Sequence, residues 1–502
     1  MTTSTFSPSL QRSNPPTEEP ATAISIEPAL PELPRTAASG FIVFALALGI
    51  VLTSLAFGTV HYWALFAFAA WGGVIVVAWS IDAFKTRVFR VSRNRLQWPL
   101  IGLFVIGLIQ LLPLRAATQA GGVSGTLHAL SLDPYATRLI LIQIGALIIY
   151  FAAALAFIDS PKRLRRIVWV ISIFGFALAF LGIIQSLISP TKIYGLLEPK
   201  YATPFGPYVN RHNFAGYLEM AVALPLGLLF SGAVERDKRL LYLTGIGLMG
   251  IAIILSQSRG GLISFIAEVM FLIAVTGFRS IKRGSEAEAG PSVALRAVLA
   301  GAMFLVVVVG VVLIGGESSL SRFSETKDSN DPTSSRTTIW RVTLDVIRAH
   351  PITGSGLGAY GVAYTPFDPR NGMARPEQSH NDYLQIIADA GIVGAILGAI
   401  FLFVLFKQGF ARRQTDDSFR RGVATGALAG CFAVLVHSLF DFTLHTTSNA
   451  LLFLILAALA TINGRVEDPE AASKERRRRR RSVASVSTLE GAVRHHRPAD
   501  VK

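Results

Sequence analysis

The sequence predicts an all-α integral membrane protein with about twelve transmembrane helices. Of its 502 residues, 51% are hydrophobic and only 16% are charged, a composition typical of membrane proteins rather than of soluble enzymes. About twelve apolar runs follow one another, and most have roughly the 17 to 25 residues that a helix needs to cross a bilayer. Loops rich in lysine and arginine alternate with loops that are not, as expected of a chain that crosses the membrane repeatedly.

The apolar runs define the expected helices in order. They lie at about 40–60, 61–83, 97–113, 138–158, 167–188, 214–232, 240–257, 260–278, 294–315, 384–406, 422–442 and 447–463. The chain therefore divides into spans one to nine at 40–315, a long outer loop at 316–383, and spans ten to twelve at 384–463. Residues 1–39 are polar and proline-rich and lack the short apolar core of a signal peptide, so we expect a disordered tail. The basic residues 464–502 are expected to form a second disordered tail.

The net charge of +15 follows the predicted membrane topology. Most basic residues fall in alternate loops, at 85–95, 162–166, 236–239, 279–283 and 407–421. These loops and both tails are expected to face the cytoplasm. The arginine run at 476–481 is expected to be solvated or to contact anionic lipid headgroups rather than nucleic acid. The single Cys431 excludes an intramolecular disulfide and the paired-cysteine spacing of zinc sites.

The stretch SHND at 379–382 begins the tenth predicted span and combines a helix cap with a histidine. Asn381 or Ser379 can cap the helix, and Asp382 suits the positive end of its dipole. A plain capped helix is therefore one interpretation. It does not account for His380, since histidine is a mediocre cap but a good general base near neutral pH.

Two further polar segments lie at the outer ends of predicted spans. Arg259 in SQSRGG and Arg211 with Asn213 in NRHNFAGYLEM bring guanidinium groups to the membrane boundary. Such groups suit a phosphate, although interfacial anchoring is an equal alternative. Glu219 and Glu268 lie eight and nine residues further on, roughly 12 Å or more along their helices. Each is a candidate functional carboxylate or a partner of a nearby arginine.

The long outer loop contains an amphipathic pattern in TTIWRVTLDVIRAH. Its apolar residues fall at helical spacing, at Ile339, Val342, Val346 and Ile347. We expect a short helix along the outer surface that ends before Pro351. Arg336 and Arg341 flank it and either add positive charge over an outer site or are simply solvated.

These motifs, in this order, resemble the signature of bacterial O-antigen ligases and the related O-antigen polymerases. The resemblance rests on His380-Asn381, nine residues, Gly391, two residues and Gly394, together with NRHNFAGYLEM, SQSRGG, the block at 340–360 and HSLFDF at 437–442. It covers roughly residues 200–460, whereas the earlier spans match in hydropathy only.

The resemblance implies a GT-C-like membrane glycosyltransferase whose active site lies on the periplasmic face of the bacterial inner membrane. Such enzymes transfer a glycan from undecaprenyl diphosphate to lipid A-core in ligases, or to another lipid-linked unit in polymerases. By matching motif, His380 would be the catalytic base, Arg259 and Arg211 would hold the diphosphate, and Arg341 is a weaker candidate. The residues expected to support them are Asn381, Asp382, Asn213, Glu219, Glu268, Gly391 and Gly394. No metal, other cofactor or nucleic acid is expected to bind. Membrane lipids are expected partners.

Other functions remain open from the sequence. The long outer loop resembles the ligase arrangement, but polymerases and protein-glycosylating enzymes share the signature. Twelve spans with cytoplasmic termini also suit a transporter or a flippase of lipid-linked oligosaccharide, although no clear internal repeat is visible. A non-catalytic subunit for polysaccharide export is the remaining alternative, and it would tolerate loss of His380.

Overall fold

A computed structural model describes residues 34–116, 127–200, 202–282, 301, 332–369, 375–462 and 466–467. The described residues from Arg35 onward belong to one unit built mainly of α-helices. The helices are α1 Ala37–Leu55, α2 Tyr62–Thr86, α3 Gln97–Gln110, α4 Pro134–Phe157, α5 Pro161–Ile188, α6 Arg211–Phe230, α7 Arg239–Leu255, α8 Arg259–Lys282, α9 Pro332–Ala349, α10 Tyr360–Tyr364, α11 Asp382–Arg412, α12 Ser418–His437 and α13 Thr447–Thr461. Two short strands, β1 Arg115–Ala116 and β2 Leu127–His128, pair antiparallel.

Within the described ranges, nine helices are long and apolar enough to cross a membrane. They are α1, α2, α4, α5, α6, α7 with the turn before it, α8, α11 and α12, while α3 and α13 are shorter apolar helices. The expectation of an α-helical membrane protein is therefore confirmed. Eleven predicted spans coincide with these helices. The remaining predicted span, the ninth at 294–315, lies outside the described residues except for residue 301, as do most of the two predicted tails.

Contacts between basic loops place them at the same end of the helix bundle. Arg90 in the first basic loop pairs with Asp159, just before the second, at 3.0 Å. Arg421 in the fifth donates to the backbone oxygen of Ser231, just before the third, at 3.4 Å. Because α5 crosses the bundle and α6 returns, Ser231 lies at the same end as Asp159. The polar segments before α6, α8 and α11 lie at the opposite end.

Helices α6 and α12 form the centre of the bundle. They are the most buried of the membrane-crossing helices, and glycines allow their backbones to approach closely. A Cβ atom at Gly227 would stand 2.5 Å from the backbone of Gly422 and Gly426. Polar side chains on the facing sides of these helices are therefore shielded from lipid.

The amphipathic helix that the sequence predicts is present as α9, and it ends before Pro351 as expected. Its apolar residues Ile339, Val342 and Val346 are buried in a cluster with residues of α10 and α11. A hydrogen bond of 2.7 Å joins Thr343 to the hydroxyl of Tyr360. The apolar face of α9 thus packs on the protein itself, so part of the predicted outer loop is a folded layer over α11.

Gly391 interrupts α11 and anchors the segment that follows α9. Its backbone has φ 64° and ψ −162°, a conformation that is essentially restricted to glycine. A Cβ atom there would stand 2.1 Å from the backbone oxygen of Ile352, and the backbone N–H of Ile392 donates to Pro351 at 2.9 Å. This close approach fixes the segment after α9 against α11. Gly394, one turn on, is also tightly packed, because its Cβ would stand 2.5 Å from that of Ala390.

Candidate active site

A pocket of about 470 Å³ opens at the end of the bundle where α6, α9 and the segment before α11 meet. It is lined by Lys200, Ala202, Thr203, Asn210, Arg211, His212, Arg336 and His380. The lining contains two arginines, a lysine and two histidines, and none of its members is acidic. A concave surface with this charge attracts anions.

His380 and Asp441 form a hydrogen-bonded pair at the edge of this pocket. The Nδ1 atom of His380 lies 3.2 Å from Oδ1 of Asp441. Asp441 is 1% exposed and His380 is 32% exposed, so the carboxylate lies behind an accessible imidazole. Because an ionised carboxylate only accepts hydrogen bonds, the proton of the neutral imidazole is on Nδ1, and Nε2 carries the lone pair. The pair thus presents a base to the pocket.

Several groups hold Asp441 in the ionised form. Burial by itself would raise the pKa of Asp441, but the hydrogen bond from His380 and the electrostatic interactions with His212, His380 and Arg336 outweigh it. As a result, the pKa of Asp441 lies well below its usual range. Arg336 Nη2 lies 3.3 Å from Oδ2 of Asp441, and His212 Nδ1 lies 3.8 Å from the same oxygen. One carboxylate therefore organises three of the side chains that line the pocket.

The backbone of His380 is in a left-handed conformation, with φ 53°. This conformation is uncommon for residues other than glycine and costs on the order of 1–3 kcal/mol. Hydrogen bonds of the residues before and after His380 hold this conformation. Trp340 Nε1 donates to the backbone oxygen of Ser379, and Asn381 Nδ2 donates to that of Leu439, each at 3.0 Å. The strain is maintained at the residue that contributes the base.

Asn381 and Asp382 begin α11 as the sequence predicts. The Asn381 Oδ1 atom accepts from two backbone N–H groups of the first turn at 3.0 Å, so the predicted N-cap is confirmed. Asp382 does more than face the helix dipole. It accepts hydrogen bonds from Ser438 Oγ at 2.7 Å, from the backbone N–H of Leu444 at 3.2 Å and from His445 Nδ1 at 2.7 Å. These bonds attach the start of α11 to the segment between α12 and α13, which also carries Asp441.

The histidine that contacts Asp382 has a perturbed titration. Burial by itself would lower the pKa of His445, but the hydrogen bond to Asp382 and the negative charges of Asp382 and Asp389 raise it above its usual value. His445 therefore remains a cation over a wider pH range than a free imidazole.

The predicted arginines occupy different positions. Arg211 lines the pocket, and its Nη1 atom donates to Gln257 at 3.4 Å. Arg259 is the first residue of α8 and is partly buried beside Ser258, but it is not among the lining residues. Arg341 is exposed and is also not among them. Arg336, five residues earlier and so about 140° around the helix, is the arginine of α9 that reaches the pocket.

The two predicted carboxylates lie inside the bundle, and both are fully buried. An arginine partner was one of two alternatives for Glu219, but both of its oxygens instead lie 3.2 Å from Nδ1 of His437. Glu268 has no hydrogen-bond partner for either oxygen among the described residues. Asn213 accepts a bond from Asn449 at its backbone oxygen, at 2.9 Å, so it contributes to helix packing.

Several site residues were not identified from the sequence. Asp441 and His437 belong to the HSLFDF motif, but the sequence assigns neither of them a role. It also assigns no role to His212, His445 or Lys200. A usable signal was present: HSLFDF places a histidine and an aspartate at the end of an apolar run, where ionisable groups are costly unless they are paired or functional. Within the described residues, no group of three or more histidine, cysteine or acidic side chains is placed to hold a metal ion.

Residues 244–399 match the family model described as O-antigen ligase. The matched segment extends from α7 into α11 and contains Arg259, Arg336 and His380, whereas Asp441 and His212 lie outside it. No curated protein matches the chain.

Proposed function

Because the chain belongs to the superfamily of O-antigen ligases and polymerases, we propose that it transfers a glycan from undecaprenyl diphosphate to an acceptor sugar. The observation that carries this proposal is the His380–Asp441 pair at the edge of a cationic pocket. A base beside a set of fixed cations is the combination that this transfer requires, since a hydroxyl must lose its proton while a diphosphate leaves.

The cationic side of the pocket binds the diphosphate of the donor. Arg211 and Arg336 supply planar guanidinium groups that can each contact two oxygens of one phosphate, and Lys200 adds a point charge. These charges are in place before the reaction. They therefore stabilise the negative charge that develops on the leaving diphosphate. Arg259 follows Ser258, whose hydroxyl lies 2.8 Å from the lining residue His212, and it adds a further positive charge to this part of the chain.

The base side activates the acceptor. His380 Nε2 takes the proton of the acceptor hydroxyl as its oxygen bonds to the anomeric carbon of the donor glycan. The bond from that carbon to the phosphate oxygen breaks, and the diphosphate leaves on its lipid. Asp441 stabilises the imidazolium that forms, through the proton on Nδ1.

The orientation in the membrane follows from the basic loops. Since the lysine- and arginine-rich loops of a bacterial membrane protein face the cytoplasm, the pocket at the opposite end opens to the periplasm and both termini are cytoplasmic. Undecaprenyl diphosphate would reach it from the outer leaflet of the inner membrane. We propose lipid A-core as the acceptor, because the folded layer formed by α9 over α11 corresponds to the long outer loop expected of a ligase.

The test uses the purified full-length protein in lipid with undecaprenyl diphosphate-linked glycan as donor. Either lipid A-core or an excess of the donor is offered as acceptor. Glycan on lipid A-core is the expected result. A ladder of longer lipid-linked chains would replace the ligase assignment by a polymerase. Absence of any product that depends on His380 would contradict the proposal.

A further inference from the structure

A chain of hydrogen-bonding groups leads from the pocket into the centre of the helix bundle. His212 lines the pocket, and its Nδ1 atom lies 2.8 Å from Ser258 Oγ. Ser258 Oγ lies 3.5 Å from Nε2 of His437, whose Nδ1 faces Glu219 at 3.2 Å. Each adjacent pair is within hydrogen-bonding distance, and the chain connects an accessible imidazole to a buried carboxylate.

The inner end of this chain lies on the two central helices. His437 and Glu219 are both 0% exposed, and the glycan transfer proposed above does not use either of them. Ionisable groups inside a membrane protein are costly and are retained mainly where they serve a function or compensate each other. Mutual compensation of charge would explain why His437 lies beside Glu219. It would not explain why Ser258 contacts both His437 and His212.

A second carboxylate adds to the buried negative charge. Glu268 on α8 is fully buried, and neither of its oxygens has a hydrogen-bond partner among the described residues. It lies within electrostatic range of Glu219. An ionised carboxylate that is buried without a hydrogen-bond partner is costly, so we expect this pair of carboxyl groups to hold at least one proton.

Ser258 couples the protonation of the two histidines. Its Oγ atom accepts from the backbone N–H of Gly261 at 3.1 Å, and its hydroxyl has one proton to donate. If Ser258 donates to His437 Nε2, then His212 carries its own proton on Nδ1. If Ser258 donates to His212 Nδ1, then His437 Nε2 carries a proton and the proton of His212 is on Nε2. Movement of one hydroxyl proton therefore changes the tautomer of His212.

We propose that Ser258 and His437 form a proton relay between His212 and the buried carboxylates Glu219 and Glu268. Resting on the proposed function, the relay supplies a proton to the leaving diphosphate. His212 Nε2 gives its proton to a phosphate oxygen, the Ser258 hydroxyl proton moves to His212 Nδ1, and the Nε2 proton of His437 moves to Ser258. The carboxyl proton of Glu219 moves to His437 Nδ1, so His437 stays neutral and Glu219 becomes a carboxylate. A proton from water taken up at His212 Nε2 after product release reverses the sequence.

Other charged groups face this relay and set its operating range. His212 interacts with Asp441, His437, Arg211 and Arg336, while His437 interacts with Glu219, Asp441 and Asp382. Binding of a diphosphate near Arg211 and Arg336 would offset their positive charge. A proton on the buried carboxyl groups then becomes less favourable than a proton on His212 at the pocket. The relay is therefore expected to respond to the arrival of an anion as well as to the reaction.

The test compares the wild-type protein with Glu219→Gln and Ser258→Ala, all full-length and in lipid. Gln keeps the shape and hydrogen bonding of Glu219 but cannot exchange a proton, and Ala removes the hydroxyl link. The control is Asp389→Asn, a buried carboxylate on α11 outside the relay. We expect kcat to fall by about 100-fold or more in both relay variants, since proton transfer by positioned groups contributes about 10²–10⁴-fold. The donor KM should stay within about twofold, and the pH dependence of kcat should change in both relay variants but not in the control.

A second measurement separates this inference from the proposed function. Infrared difference spectra on addition of inorganic pyrophosphate should show a change in the protonated-carboxyl band of the wild type and of Asp389→Asn. The band should be absent in Glu219→Gln and Ser258→Ala. Bound pyrophosphate without this band in the wild type would overturn the relay even if glycan transfer is found. The band without any glycan transfer would overturn only the proposed function.

Discussion

The Nδ1 atom of His380 lies 3.2 Å from Oδ1 of Asp441, although 61 residues separate the two in the chain. This contact joins the segment before α11 to the segment after α12. Phe442 supports it twice, since its backbone N–H donates to Asp441 at 2.9 Å and its ring meets the imidazole edge-on at 4.9 Å. The hydrogen bond, the ring contact and the strained backbone together fix one orientation of the imidazole.

Asp441→Asn should reduce kcat by roughly 100-fold or more, a larger factor than its effect on the donor KM through Arg336. An amide cannot stabilise the imidazolium, and it can donate to Nδ1, which selects the wrong tautomer of His380. Glycan transfer by the purified variant in lipid is the measurement. A variant that folds and inserts normally and retains the wild-type kcat would show that the pair is not the base.

Arg336→Gln should weaken the binding of inorganic pyrophosphate by about tenfold or more, because a charge-assisted hydrogen bond contributes roughly 1.5–3 kcal/mol. Arg341→Gln is the matched control on the same helix, and its exposed position predicts no change. Isothermal titration of both variants gives the comparison. Equal losses in the two would mean that the charge of α9 as a whole, rather than its pocket-facing arginine, attracts the anion.

Gly391→Ala should destabilise the protein by roughly 2 kcal/mol or more, because an L side chain there meets both a disfavoured conformation and the backbone of Ile352. Gly398→Ala, in the same helix, is the control, since nothing lies within 4 Å of its Cβ position. Thermal unfolding in detergent or lipid would measure the difference. Similar melting temperatures for the two variants would contradict the described break in α11.

The contact between His445 and Asp382 predicts a pH-dependent contribution to stability. Because the folded-state pKa of His445 is raised, this contribution is fully present below the unfolded value of about 6.5. It is lost as the pH rises through the folded-state value. Wild-type stability should therefore decline relative to His445→Gln from about pH 6.5 upward. Parallel stability curves for the two proteins across that range would contradict the prediction.

The sequence predicts the local features of the site and misses the contacts between distant segments. Asn381 was identified as a cap because capping depends on the residues that follow it directly. Asp441 was not identified as the partner of His380, since that contact exists only after α11 and α12 have packed. The sequence leaves Glu219 open between a functional carboxylate and a partner of arginine, whereas the packing of α6 against α12 places a histidine beside it.

The helices were predictable for a similar reason. Their apolar runs are set by the thickness of a bilayer, so each can be read without knowledge of the others. The side of α9 that faces the pocket could not be read in this way. Arg336 and Arg341 are both arginines of one amphipathic helix, and the tertiary contacts of α9 decide which of them reaches Asp441.

The most direct test of the central claim is the release of undecaprenyl diphosphate in step with glycan transfer by the wild-type protein and by His380→Ala. Both proteins would be purified in lipid, supplied with lipid-linked glycan and lipid A-core, and sampled over time by mass spectrometry. We predict that the wild type forms equimolar glycosylated acceptor and undecaprenyl diphosphate. His380→Ala should form both products at a rate at least about 100-fold lower. Equal rates from the two folded proteins would contradict it.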